Sequence, residues 1–424
     1  MGLPQSLASV LLSAGGRPPT WRAASAVTNA MPYGITTTSG TQLRRTSRSK
    51  IIIGADCTSL KFMVPNKYVA AAAITSNGNA VTINKMALEK VTGGAAYAAC
   101  TFSGAASGTN SAGNAWLTSD EVFPSAFGLS KFSRGEEYWL RMDEQVTTAG
   151  HKFVCLRETG SVSSSASTPS NFSVLYDSAT ATISDVYGTG GITNTGTGRT
   201  TCEMACVITL GKMDATESVF VGVGDSIIEH LSDSVSHTMG LFGRALFDAG
   251  LSANPRPGLN LGRGSSASSL WQASGASFLT DMLAYANVMI DDYGTNGPGT
   301  APTYPENNAI WSAARALNYK KVIRLALLPR ASSTDAFVTE ANQTVDAGFA
   351  GGASLTLFQT YLTNNAVLFD SLLPLTSIRA GSNTNKWVVN GVANYGSADG
   401  LHPEDAACEL VAVDLRDAYS SLGL

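Results

Sequence analysis

Charge is scarce in this sequence. Charged residues make up 14% of 424, and 28 Lys and Arg nearly balance 32 Asp and Glu. There is no basic run and no aromatic-plus-arginine platform, and a net charge of −4 gives no footprint for a polyanion. Nucleic-acid binding is therefore not expected. No apolar stretch approaches the ~20 residues of a membrane helix, so no membrane span is expected either. The six cysteines, Cys57, Cys100, Cys155, Cys202, Cys206 and Cys408, include no C-x-x-C pair, and Cys202 and Cys206 have no histidine close by. That argues against a zinc site and leaves buried free thiols as the expectation. No G-x-x-x-x-G-K-[ST] phosphate loop occurs. The first residues, "MGLPQS", fit the loose myristoylation pattern by chance. The apolar patch from Leu7 to Ala14 is short and has no Lys or Arg before it, a poor fit to a secretory leader. Histidine is rare: only His151, His230, His237 and His402.

Apolar residues and glycine are plentiful, at 44% hydrophobic with 42 glycines, which is a globular composition. The length suggests two or three domains. Between Ile51 and Glu158, short apolar or alternating runs such as "SLKFMVP", "AVTINKMALEK" and "EEYWLRMDE" recur between Gly, Ser, Asn and Thr clusters. That texture predicts a β-sandwich, jelly-roll-like, over 50–214, after an N-terminal extension of 1–49. Ser, Thr, Gly and Asn dominate from Gly160 to Thr201, either a linker or long loops of the same sandwich. A boundary is placed near Ala215.

From 215 to 424 the texture alternates. Strand-like "SVFVGVG", "ANVMIDDYG", "KKVIRLALLP" and "AVLFD" are separated by helical windows, among them Ile227 to Ala249 and a last helix from Pro403 to about Leu422. The alternation predicts an α/β domain of three layers, α/β/α, on a mostly parallel sheet. Ligands of such sheets sit beyond the carboxyl ends of the strands, so the strand ends are where chemistry is sought. The first ends in Gly224-Asp225-Ser226, the second in "DDYGTNG", and "SADGLHPED" places Asp399 and His402 just before the final helix. Ser226 is a hydroxyl nucleophile that needs a base. His402 can be that base, and Asp399 can hold its ring. Asn296 offers a side-chain N–H to a developing oxyanion. Between the first two strands, the loop "GLNLGRGSSASSLW" contains Gly264, whose N–H can approach substrate unobstructed.

In order along the chain stand "GDS" after a strand, "N-x-G-x-G", "GTN" and "D-x-x-H". Over Glu217 to Leu424 this resembles the SGNH (GDSL-type) hydrolases, whose four blocks are named for Ser, Gly, Asn and His. The resemblance implies Ser226 as nucleophile, Asp399 and His402 as its partners, and an oxyanion hole from Ser226, Gly264 and Asn296. No metal or organic cofactor is implied. The departures are Ile227 for the usual Leu, Gly297 for the Asp that follows the block-three Asn, and Ser265 where a second glycine is common. Ser265 is thus an alternative oxyanion donor to Gly264. The β-rich half also resembles the sandwich that precedes some bacterial and phage-encoded esterases of this type. Around Ser226 the second glycine of G-x-S-x-G is missing, which disfavours the α/β-hydrolase elbow.

Blander readings exist for each residue. Gly-Asp-Ser alone is a turn, and Asp399 to Pro403 alone is a helix N-cap region. Asp291 and Asp292 are a metal pair or, as preferred here, a solvated strand end. Trp271, Trp387 and Tyr395 line a substrate rim or pack internally, and Asp225 orients the turn. The sequence leads to a serine carboxylic-ester hydrolase acting on an acylated substrate, an acetylated carbohydrate first. A general short-chain esterase or lipase, and a degenerate glycan-binding or structural protein, are the alternatives. The charge-poor texture suits work outside a cell or on a virus particle, with the cytoplasm as the other option.

Overall fold

The computed structural model describes residues 20–26, 31–38, 40–70, 73–91, 96–156, 172–177, 186–190, 200–201, 204–229, 240–247, 254–296, 305–349 and 354–424. The amino-terminal half is built from strands. They are β1 (Thr20–Ala23), β2 (Gly34–Thr37), β3 (Gln42–Ile52), β4 (Leu60–Pro65) and β5 (Lys67–Ala70). Next come β6 (Ala73–Ser76), β7 (Val81–Lys90), β8 (Tyr97–Cys100), β9 (Gly108–Asn110) and β10 (Trp116–Thr118). The last of this half are β11 (Glu137–Gln145), β12 (Lys152–Cys155), β13 (Phe172–Asp177), β14 (Thr200–Thr201) and β15 (Ile208–Met213).

These form an antiparallel sheet β1-β15-β4-β10, a larger one β14-β13-β3-β11-β7-β8 with β9 on β7, and the pairs β2-β12 and β5-β6. Their apolar side chains meet in one cluster, including Phe62 and Val64 of β4, Leu210 of β15, Ile83 and Leu88 of β7, and Leu140 of β11. The segment 1–49, read from sequence as an extension, supplies β1, β2 and most of β3. The reason is visible in β3. Its "QLRRTSRSK" looks like a solvated run, yet Arg45 is fully buried and bonds Glu144 at 2.6 Å on the paired β11, while Arg44 bonds Asp143. Charges cancelled across a ladder let a polar strand occupy the middle of a sheet. In the Ser/Thr/Gly/Asn-rich stretch, β13 and β14 belong to that sheet; most of the rest lies outside the described residues.

The carboxyl-terminal half runs β16 (Phe220–Gly224), α1 (Gly240–Leu246), β17 (Gly258–Gly262), α2 (Ser277–Leu283), β18 (Val288–Asp291) and α3 (Pro305–Ala316). It continues β19 (Lys321–Leu325), β20 (Ala331–Ser333), β21 (Gln343–Val345), α4 (Ser354–Asn364), β22 (Ser371–Leu373) and α5 (Asp405–Ser421). One parallel sheet has the order β17-β16-β18-β19-β22. That is the doubly wound order 2-1-3-4-5, in which the connection reverses direction beside the first strand and opens a crevice there.

Strand alternation sorts the two faces. Val221, Val223, Leu259, Leu261, Met289 and Val322 join the cluster that holds Phe278 and Met282 of α2, Trp311 of α3 and Phe358 of α4. Phe220, Val288, Ile290 and Ile323 join Leu241 and Ala245 of α1 and Val411, Leu415 and Tyr419 of α5. In α5 the buried positions Cys408, Val411, Ala412, Leu415 and Tyr419 recur at helical spacing. Helices thus cover both faces of the sheet. The strand Gly258–Gly262 corrects the sequence reading, which took it for loop. Two glycines and an asparagine read as a turn, but register with β16 from Phe220↔Gly258 to Gly224↔Gly262 and burial of both leucines make it an edge strand. Only Gly240–Leu246 of the window Ile227 to Ala249 is described as helix. His230 and His237 lie outside the described residues.

The β-rich half seats directly on the α/β half. The rings of Trp116 and Phe278 stack at 4.6 Å, Ala23 N–H donates to Tyr285 O, and Gly258 N–H donates to Ser25 O. The apolar cluster of the β strands continues into that of α2 and α3.

Arg324 fixes the end of β18. Its buried guanidinium donates to Asp291 O and Tyr293 O and lies 3.6 Å from the equally buried Asp291 carboxylate. Replacing it strands that carboxylate. Arg324→Met is expected to lower stability by about 3–5 kcal/mol in urea unfolding; a loss below ~1 kcal/mol would contradict this.

Candidate active site

β16 delivers the nucleophile. Gly224 ends the strand because nothing larger fits: a Cβ there would lie 1.6 Å from Asp292 Oδ1. Asp225 then turns the chain, its Oδ1 accepting from Ile227 N–H at 3.1 Å and its carbonyl from Glu229 N–H. Ser226 therefore stands two residues past the strand, at the crevice beside the first strand. β17 braces the turn from the other side. Asn260 Nδ2 donates to Ile228 O at 2.7 Å, and Gly262 approaches so closely that a Cβ would lie 2.4 Å from Glu229 N.

The loop before α5 brings the base. Asp399 Oδ1 accepts backbone N–H groups from Leu401 and His402, both at 2.8 Å, so the carboxylate is held by its own turn. Asp399 Oδ2 lies 2.7 Å from His402 Nδ1, and His402 Nε2 lies 2.8 Å from Ser226 Oγ. An ionised carboxylate only accepts, so Nδ1 carries the proton and the Nε2 lone pair faces the Ser226 hydroxyl. Burial pushes the Asp399 carboxyl up, but hydrogen bonds from His402 and Leu401 outweigh it and hold it below its ordinary range. Asp399 is half exposed and His402 mostly covered. Sequence reasoning placed Ser226, Asp399 and His402 together, and the fold brings them together from opposite ends of the α/β half.

The expected oxyanion donors are arranged differently from the sequence reading. Gly264 N–H is already given to the Glu229 carboxylate and is not free for substrate. The Ser226 and Ser265 N–H groups have no protein acceptor among the described residues. Ser265 is exposed, and it adopts φ 62°, a left-handed conformation that places it at the third position of a turn closed by Ser266 N–H to Arg263 O. Asn296 is exposed in the loop after β18, and its Nδ2 donates one hydrogen to Ser266 O at 2.9 Å, leaving the other. Gly297 lies outside the described residues.

The two strand-end aspartates are buried, which corrects their expected solvation. Asp291 accepts from Trp311 Nε1 at 2.8 Å and faces Arg324, while Asp292 faces the opposite way, toward Gly224, and accepts from Asp225 N–H. Among the described residues no cluster of three or more His, Cys, Asp or Glu is placed to hold a metal ion. Trp271 and Trp387 are buried; Trp271 donates to Tyr293 Oη and Trp387 to Gly400 O, so both pack rather than line a rim. Tyr395 is half-buried. The five described cysteines are buried; Cys202 lies outside the described residues. Glu229 and Arg263 were missed, and Asp292 was named only as part of a strand end. Their signal was weak: a charge inside "SIIEH", an arginine between two glycines and the second of two aspartates.

No protein-family model matches the chain, and no curated protein matches it. Solved structures do resemble it. A lipase/acylhydrolase from Enterococcus faecalis is 14% identical over 48% of this chain and 96% of that one, at a TM-score of 0.33. A carbohydrate esterase family 2 enzyme plus carbohydrate-binding domain from Corynascus thermopiles covers 96% of this chain and 100% of its own, at 10% identity and a TM-score of 0.31. An active-site mutant of a family two carbohydrate esterase from Clostridium thermocellum covers 95% and 98%, at 12% and 0.30. All three are ester hydrolases by name.

Asp225 and Asp292 are buried side by side, each with one carboxyl oxygen lacking a hydrogen-bond partner. Burial, aided by the neighbouring Asp291, pushes Asp225 up to about 7; burial and then the charge of Asp225 push Asp292 well up. An unfolded aspartate ionises near pH ~4. Across the interval to about 7 the fold keeps a proton that the unfolded chain has lost, so stability falls as pH rises through it. Asp225→Asn removes that titration. The variant is expected to show a flatter urea midpoint between pH ~4 and ~8 and a gain on the order of 2–4 kcal/mol at the upper end. A pH slope equal to the parent's would contradict it.

Proposed function

We propose that this chain is a serine carboxylic-ester hydrolase of the SGNH type. The observation that carries the reading is the two-link relay Asp399–His402–Ser226, at 2.7 and 2.8 Å, standing beyond the carboxyl edge of a doubly wound sheet. Ser226 Oγ attacks the ester carbonyl while His402 Nε2 takes its proton. Asp399 holds the Nδ1–H and stabilises the imidazolium. The N–H groups of Ser226 and Ser265 and the second Nδ2 hydrogen of Asn296 receive the oxyanion. The imidazolium returns its proton to the leaving alcohol, and a water deprotonated by His402 then frees the acyl group. None of these steps calls on a metal or organic cofactor.

The substrate we assign is an O-acetylated carbohydrate. Small polar residues, Ser265 and Asn296, flank the nucleophile and suit a short acyl group. The β-rich half, which we read as a sandwich beside the site, suits a glycan. The charge-poor composition, with 14% charged residues, supports a place of work outside a cell or on a virus particle.

Ser226→Ala and His402→Ala are each expected to lower kcat/KM on an aryl acetate by at least about 10⁴-fold, and Asp399→Ala by less, because water reaches that carboxylate. Parental rates in Ser226→Ala would refute the reading. Acyl-chain profiling is expected to rank acetyl above octanoyl esters, with acetate released from an acetylated polysaccharide. A preference for long chains would contradict the deacetylase assignment.

A further inference from the structure

Arg263 lies between Gly262 and Gly264, where the edge strand β17 gives way to the loop beside Ser226, and it is almost fully buried. Its Nε donates to Val69 O at 2.8 Å, and its Nη1 donates to Gly264 O at 2.9 Å. Its guanidinium lies 3.8 Å over the ring of Tyr33. Val69 and Tyr33 belong to the β-rich half, so one side chain joins that half to a single peptide unit of the site.

That peptide unit is the one that matters. Gly264 C=O and Ser265 N–H share one planar trans peptide and point in opposite directions. A donor that fixes the carbonyl therefore fixes where the N–H is aimed. The preceding peptide is fixed too, by Gly264 N–H to Glu229. The residues Arg263 to Ser266 form a turn in which Ser265, at the third position, has φ 62° while Gly264 has no positive φ. This is the type II pattern, which glycine favours at that position. Serine has a lower-energy alternative, type I, reached by turning over the 264–265 peptide, and that rotation would aim the Ser265 N–H away. A serine persists in the left-handed region when its surroundings over-determine it. Arg263 and Glu229 are those surroundings.

We propose that Arg263 is a positioning residue that aims the Ser265 N–H into the oxyanion hole, and that the β-rich half holds it there through Val69 and Tyr33. The proposal rests on the ester-hydrolase reading above. It gives the β-rich half a part in catalysis that binding of a glycan would not require.

The test uses the full chain and 4-nitrophenyl acetate, with thermal unfolding of every variant. Arg263→Met fills the same space without the two donated hydrogen bonds. It is expected to lower kcat at least about tenfold with KM nearly unchanged, and to weaken a phenylboronic acid, a tetrahedral-adduct former, by a similar factor. Tyr33→Leu is expected to lower kcat at least about threefold in the same manner. Parental kcat in folded Arg263→Met, or a change in KM alone, overturns the proposal; parental kcat in Tyr33→Leu overturns the part given to the β-rich half. Should Arg263→Met fail to fold, Arg263→Lys decides by the same two outcomes, since one ammonium cannot reproduce the fork. Ser226→Ala runs alongside. If it retains the parental rate, the ester-hydrolase reading itself falls; if it is inactive while Arg263→Met is unimpaired, only the positioning role falls.

Discussion

Three strand ends converge on Gly224 with no room for a side chain. Asp292, at the end of β18, occupies the space a Cβ would take, and Gly262, at the end of β17, packs against the turn that carries Ser226. This close approach is the constraint on which the site depends. It lets β16 stop between its two neighbours and puts a serine, rather than a longer loop, at the mouth of the crevice. The loops after β17 and β18 continue from the two strands that flank β16, and each carries one polar group that the proposed mechanism uses, Ser265 and Asn296.

The cost of this arrangement is borne by buried acids. Asp225, Glu229, Asp291 and Asp292 all lie within or beside the strand ends and are nearly inaccessible to water. Each is tied to backbone of the site: Asp225 to Ile227, Glu229 to Gly264, Asp291 to Tyr293, Asp292 to Asp225. Arg324 offsets part of the charge, and burial keeps protons on part of the rest. Each of these ties holds one peptide unit of the site, and a buried polar group held in this way is costly to displace. Rigidity is what a site needs when its hydrogen-bond donors must already point at charge that has yet to develop.

Much of this was legible in the sequence, and the boundary of legibility has physical causes. Ser226, Asp399 and His402 could be found because histidine is scarce, with only four in the chain, and because each of the three stands where an element ends. The core strands β16, β18 and β19 and the helix α5 follow from hydrophobic periodicity. β17 was hidden because Gly-Leu-Asn-Leu-Gly has the composition of a turn and becomes a strand only by pairing. β3 was hidden because its arginines are neutralised by acids about a hundred residues away in the chain. The choice between Gly264 and Ser265 as donor turned on which N–H another side chain had already claimed, and Glu229 gave no local sign of that. Arg263 was illegible for the same reason: its partner at Val69 is 194 residues distant.

The central claim is that Ser226 is an activated nucleophile rather than a turn residue. The most direct measurement is labelling of the folded protein by a fluorophosphonate, followed by intact mass and peptide mapping. The account predicts a single adduct on Ser226, formed quickly in the parent and at least about 10³-fold more slowly in His402→Ala. No adduct, or an adduct on another residue, would contradict it.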